Sequence, residues 1–254
     1  MADEVLTTIE DGVIIITLNR PKAKNAANKA LAEGIAAAID ELESNDDLRV
    51  GILTGAGGTF CSGMDLKAFV TGETPNIPGR GFAGLTEYTP NKPLIGAVEG
   101  YALAGGLELA ISCDMLIAAD DAKFGIPEVK RGLAAAAGGL VKLPRQIAPR
   151  IAMELALTGD FISAQRAAEL GLINHVVPSG TALEAAKELA ARIAANGPLA
   201  VAKSKQVIAE QGDWSSDEMF KKQNDIVMPV FSSADAIEGA TAFAEKRAPN
   251  WTGK

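Results

Sequence analysis

The chain is poor in the residues that most enzyme sites are built from. It has one histidine, His175, and two cysteines, Cys61 and Cys113. A single histidine excludes a histidine-based metal site, and it leaves a Ser-His-Asp triad only His175 to use. No G-x-S-x-G elbow is present to accompany it. His175 lies in the alternating stretch "GLINHVVP", which predicts a short strand with the histidine on an edge or surface. The cysteines match neither C-x-x-C nor zinc spacing and read as reduced, partly buried thiols. Any proton-transfer chemistry therefore falls to carboxylates or lysines.

Positive charge is also in deficit. Lys and Arg number 24 against 32 Asp and Glu, a formal net charge of −8, which disfavours nucleic-acid binding through general electrostatics. An anionic ligand has to be held by local basic residues and backbone N–H groups. No long apolar run exists: the stretch from Ala102 to Ala119 is interrupted by Glu108 and Asp114 and reads as soluble core, not as a membrane span. The N-terminal "MADEVLTTIEDG" lacks a basic segment followed by an apolar one, so no signal peptide is expected and a cytoplasmic location is.

With 48% hydrophobic and 22% charged residues, the 254-residue chain is that of a globular protein of one large domain or a domain with an appendage. "VLTTIEDGVIIITLNRP" predicts a hairpin turning at Asp11-Gly12. Leu31, Ile35, Ile39 and Leu42 set a helical period over residues 28–44. "RVGILTGAG", "KPLIGAVEG" and "DMLIAAD" each read as a buried strand running into a small-residue loop, so the first two thirds predict an α/β core. Helical patterns then dominate, at 150–157, 163–170, 182–195, 199–210, 216–227 and 233–247. Ser232 and Asp235 resemble a capping box for the last of these. Asn196-Gly197-Pro198 marks a break, giving a core over 1–196 and a helical region over 197–254.

The glycine loops are not nucleotide fingerprints. "TGAGGTF" places Phe60 where the dinucleotide motif needs its last Gly or Ala, and no Gly-Lys-Ser/Thr follows. Two other loops, "FCSGMDL" and "ALAGGLEL", each follow a strand and put small residues where a helix is expected to begin. N–H groups there lack intrahelical partners, and two such donors could converge on one oxygen that gains negative charge. The plainer reading is that these glycines allow tight turns and close packing. Glu108 stands in an otherwise apolar run, one turn beyond Gly105 on the same expected helix face. A second acid, Glu128, follows Pro127 in an expected loop, where pairing with Lys130 or Arg131 in solvent would also account for it.

Together "ITLNRPKAKNA", "GTFCSGMDL", "GYALAGGLELAISCDM", "KFGIPEVKRGL", "GLINHVVP" and "AFAEKRAPNW" resemble the crotonase superfamily, in particular the enoyl-CoA hydratases. The resemblance runs from about Val13 to Trp251. It implies an α/β fold, a spiral of ββα units followed by a helical C-terminal trimerisation region, in a homotrimer or dimer of trimers. It implies an acyl-CoA thioester substrate, with coenzyme A as part of that substrate and no separate cofactor or metal. The family's oxyanion-hole positions fall on the backbone N–H groups of Met64 and Gly105, and its two glutamates on Glu108 and Glu128. The coenzyme A contacts fall on Lys22 and Ala23 of "RPKAKNA", with Lys24 also expected near the nucleotide, and on Phe243 and Lys246, the last two commonly reaching a neighbouring subunit. Syn addition of water to a trans-2-enoyl-CoA is the implied reaction, with Glu108 chiefly base and Glu128 chiefly acid. An isomerase, an acyl-CoA dehydratase or a non-catalytic acyl-CoA-binding protein are the alternatives. Two departures stand out: "LAAAAGG" puts Ala136 at a customary glycine, and residues 71–88 form a Gly/Pro-rich loop where acyl selectivity is expected to reside.

Overall fold

The structure, a computed structural model, describes residues 3–254. Its first half contains β1 (Val5–Glu10), β2 (Val13–Leu18), α1 (Lys29–Ser44), β3 (Val50–Gly55), α2 (Leu66–Val70), β4 (Asn76–Ile77), β5 (Gly81–Phe82), β6 (Leu94–Val98), β7 (Tyr101–Leu103), α3 (Gly105–Ala110), β8 (Met115–Ala119) and β9 (Lys123–Gly125). Then follow α4 (Gly139–Gln146), α5 (Pro149–Thr158), β10 (Ile162–Ser163), α6 (Ala164–Glu169), β11 (His175–Val177), α7 (Ala182–Ala194), α8 (Pro198–Glu210), α9 (Met219–Phe231) and α10 (Ala234–Glu245).

The main sheet has the order β1-β2-β3-β6-β8-β11. The β1–β2 hairpin is antiparallel and closes at Asp11-Gly12, both at positive φ, while every later neighbour in this sheet is parallel. Alternation sorts the strands' side chains onto two cores. Ile14, Ile16 and Leu18 of β2 face α1, whose Leu31, Ile35, Ile39 and Leu42 are fully buried. Val13 and Ile15 face the other way, with Val50, Ile52, Ile95 and Ile117, onto Ala182, Ala186 and Ala190 of α7. Burial on both faces explains why these strands read as continuous apolar runs. The alanine stripe lets α7 lie close to the sheet. Fully burying each of the four α1 aliphatics contributes about 2 kcal/mol.

A smaller sheet, ordered β10-β9-β7, carries the functional geometry. Isolated bridges extend it: Cys61 pairs in parallel with Ala102, and Met64 with Ala27. The segment between Cys61 and Asp65 is therefore laid alongside β7 on one side and Ala27 on the other.

Four expectations need correcting. The last helix is capped by Ser233, whose side chain accepts from Ala236 N, and not by Ser232. Asp235 instead accepts from Thr252 and Gly253, fastening the C-terminal segment. Helix α9 starts later than expected and passes through Pro229 to end at Phe231. Helix α4 is absent from the expected elements, because its N-cap is Gly138 at φ 110 and Pro144 lies inside it, both of which read as breakers. Met64 precedes α2 and sits in an extended bridge, not in a first helical turn.

Candidate active site

Strand β7 runs directly into α3 through Ala104, whose N–H donates to Gly125 O at 2.9 Å. Ala104 adopts φ 54, ψ −129, a conformation that costs a non-glycine residue on the order of 1–3 kcal/mol and is typical of functional turns. The turn aims the first N–H groups of α3 outward. Gly105 N–H donates to no other group among the described residues, and neither does that of Met64. Ala27 brackets Met64 from both sides, donating to Gly63 O at 2.7 Å and accepting from Asp65 N at 2.8 Å. The two donors lie on touching loops: a Cβ at Gly63 would meet Gly105 N at 3.3 Å. Glycine is required at 105 and 106 because Cβ atoms there would strike the Phe82 ring and Cys61 O.

A cavity of about 730 Å³ opens over these loops, and Met64, Gly105, Glu108 and Glu128 all line it. All six residues of α3 are buried, and Glu108 is 2% exposed. Its Oε1 accepts from Ala137 N and Gly139 N, each at 2.8 Å, at the start of α4. The positive end of that helix and two N–H donors hold one carboxylate oxygen; Oε2 accepts nothing from the protein among the described residues. A Cβ at Gly139 would stand 3.0 Å from Oε1 and crowd the carboxylate it holds. Burial lifts the Glu108 carboxyl to about 7, the neighbouring Glu128 adding to the rise while the two N–H groups and Lys142 oppose it.

Glu128 lies in a 3-10 turn, Pro127–Arg131, not in open loop. It is half-buried, and its Oε2 has no hydrogen-bond partner. Burial raises this carboxyl as well. Lys130 pairs with Asp160 at 2.7 Å, and no ion pair within 4 Å joins Glu128 to Arg131 among the described residues, although the Arg131 charge favours the carboxylate form of Glu128. Burial thus favours the protonated form of both carboxyls relative to an exposed glutamate. Hydrogen bonding distinguishes them: Glu108 has donors suited to an anion, and Glu128 has a bare buried oxygen suited to a proton.

The cavity's walls are mainly apolar, with Leu66, Phe69, Phe82, Leu133 and Phe161 among them. Part of the 71–88 stretch, Asn76, Phe82 and Glu87, reaches it. Ala136 lines it too and is not at positive φ, so the alanine imposes no backbone strain and simply presents its methyl group. Lys22 and Ala23 form a 3-10 turn with Pro21 and do not line the cavity; Lys24, next in sequence, does, with Nζ 5.1 Å from the centre of the Tyr101 ring. Phe243, 87% exposed, and Lys246, the C-cap of α10, are also away from this chain's cavity. Sequence reasoning misses the anchors Ala137 and Gly139; the Gly138-Gly139 pair is their only signal. Both cysteines are free and buried, with burial pushing the Cys61 thiol up to about 12, so neither is a nucleophile. Among the described residues, no group of three His, Cys, Asp or Glu could hold a metal ion, and no helix is long and apolar enough to cross a membrane.

Two unpaired backbone N–H groups beside two carboxyls in one cavity are the arrangement that the resemblance to crotonase acyl-thioester enzymes implies. The chain belongs to the enoyl-CoA hydratase/isomerase family, whose model matches residues 8–254. It is 46% identical over 250 residues to the enoyl-CoA hydratase EchA19 of Mycobacterium tuberculosis, covering 94% of this chain and 92% of that protein. It is 40% identical to the carnitinyl-CoA dehydratase of Proteus mirabilis, with both chains covered in full. Among solved structures, an enoyl-CoA hydratase from Mycobacterium tuberculosis H37Rv superposes with a TM-score of 0.97 at 59% identity, covering 99% of this chain and 100% of the other.

Proposed function

We propose that this enoyl-CoA hydratase adds water syn across the double bond of a trans-2-enoyl-CoA through Glu108 and Glu128. The observation that carries the assignment is that both carboxyls line one cavity with the free N–H groups of Met64 and Gly105. The thioester oxygen sits between those N–H groups and takes up charge as the enolate forms; one such donor is worth about 3 kcal/mol to a transition state. Water oxygen bonds to C3 while its proton passes to Glu108 Oε2. Glu128 gives its proton to C2, and the proton left on Glu108 returns to the pair through exchange. The product is a 3-hydroxyacyl-CoA, and no separate cofactor takes part.

The test follows the conjugated thioester's ultraviolet absorbance with crotonyl-CoA and a long-chain enoyl-CoA. Turnover that survives in both Glu108→Gln and Glu128→Gln overturns the base and acid roles of the two carboxyls. Glu87 favours a second substrate reading, an acyl group with a polar or charged end, since it adds an acid to the cavity wall beyond Glu108 and Glu128. Faster turnover of carnitinyl-CoA than of crotonyl-CoA would establish it.

Coenzyme A enters past Lys24 and Tyr101, with Lys22 and Ala23 at the rim. Phe243 and Lys246 serve the site of a neighbouring subunit in a homotrimer or dimer of trimers, which their exposure supports. Free buried thiols support a cytoplasmic setting.

A further inference from the structure

Behind Glu108, away from the oxyanion loops, stands a cation that the proton-transfer scheme does not use. Lys142 is on α4, less than one turn beyond Gly139. Its Nζ donates to Thr86 O at 2.6 Å and to Ser112 Oγ at 2.8 Å. Ser112 Oγ in turn donates to Glu108 O at 2.7 Å. The lysine stem folds back over Gly138, where a Cβ would meet its Cδ at 3.4 Å. Thr86 belongs to the turn whose first residue, Phe82, packs its ring on Gly105. One ammonium group thus ties α4, the C-terminal end of α3 and the Phe82 turn together.

We infer that Lys142 is a positioning residue for Glu108, holding α4 in the register at which Ala137 and Gly139 N–H clamp Oε1. This role rests on the proposed assignment of Glu108 as the base. The same helix grips Glu108 twice, at its carboxylate through backbone N–H groups and at its own carbonyl through Ser112. A positive charge in this half-buried place also favours the carboxylate form of Glu108. The groups facing Glu108 are Glu128 from the 127–131 turn, Lys142 and the two N–H donors from α4. Those facing Lys142 are Glu108, Glu87 and Cys113, the last kept as a thiol by burial. Glu108 is therefore balanced between one like charge and one opposite charge.

The experiment compares Lys142→Met, which keeps the stem but loses the charge and both bonds, with Lys142→Arg and Ser112→Ala. In crotonyl-CoA hydration, Lys142→Met lowers kcat about tenfold or more with KM changed less than about threefold, because the base is misplaced while the thioester contacts remain. The acid limb of its kcat/KM profile moves to higher pH, and Lys142→Arg restores the limb. A limb that stays put in a folded Lys142→Met enzyme, or a KM rise at constant kcat, overturns the inference. A second arm needs no turnover. Unfolding midpoints against pH are measured for wild type, Glu108→Gln, Lys142→Met and the double variant. Coupling between the two residues appears as a pH-dependent non-additivity centred on the Glu108 titration, and strict additivity at every pH overturns the inference. If wild type shows no hydration, the proposed reaction fails while this arm still decides the role of Lys142. Should Lys142→Met fail to fold, the arm is run with Lys142→Gln and Ser112→Ala, where additivity has the same meaning.

Discussion

Helices α1 and α9 are both amphipathic, yet they end in opposite environments. Helix α1 buries seven residues, including four aliphatics with no exposed surface, whereas α9 buries none. Helix α8 likewise buries none, and around these two helices Ile208, Phe220, Phe231, Ile237 and Phe243 are each more than two-thirds exposed. Helix α1 covers its apolar face within one chain, while α8, α9 and α10 carry apolar surface that one chain does not cover. Exposed apolar surface of that extent is characteristic of an interface. The groups proposed for catalysis sit in the spiral core, and two of the expected coenzyme A contacts, Phe243 and Lys246, sit on and at the end of α10.

Four measurements sharpen or break that contrast. The largest effect is on chemistry in the core: Glu108→Gln lowers kcat about 10²–10⁴-fold, read by the absorbance assay, while the oligomer's sedimentation is unchanged. Next, Ile39→Ala costs about 2–5 kcal/mol of unfolding free energy in urea, whereas Phe231→Ser changes the sedimenting mass at far smaller cost to the spiral core. Equal losses from both would erase the distinction between the regions.

The third effect is electrostatic. Glu108 is raised from its ordinary value to about 7 by burial, so its contribution to stability is fully present below about pH 4.5 and is lost as pH climbs through 7. Glu108→Gln removes that dependence, and the variant gains on wild type by about 3 kcal/mol between pH 4.5 and 8. A pH-independent difference would mean that Glu108 is not buried as an acid. The smallest effect concerns the proposed contact from a neighbouring subunit: Phe243→Ala raises KM for crotonyl-CoA about three- to tenfold with kcat unchanged. It does nothing to a truncated pantetheine thioester that lacks the nucleotide. The same KM change with both substrates would remove Phe243 from nucleotide binding.

Much of the core is legible in the sequence. The hairpin, α1, the buried strands and most C-terminal helices follow from periodicity and turn residues, because hydrophobic spacing is a local property. Glu108 is conspicuous as an acid in an apolar run, and Gly105 as a residue whose missing Cβ has to serve close approach. Helix α4 is not legible: a glycine cap and an internal proline hide a helix that is held by tertiary contacts. For Glu128, sequence leaves two readings open. The fold decides between them by placing Glu128 on the cavity wall with Oε2 unpartnered.

Sequence alone therefore determined most of the elements and the identity of the chemical groups, since composition and period are written residue by residue. The tertiary structure decided what those groups became. It fixed which Glu108 oxygen meets Ala137 and Gly139, left Glu128 with an unpartnered oxygen, and set Lys142 between three elements. Those outcomes depend on desolvation and on hydrogen bonds between segments distant in sequence, and neither is encoded in any local stretch.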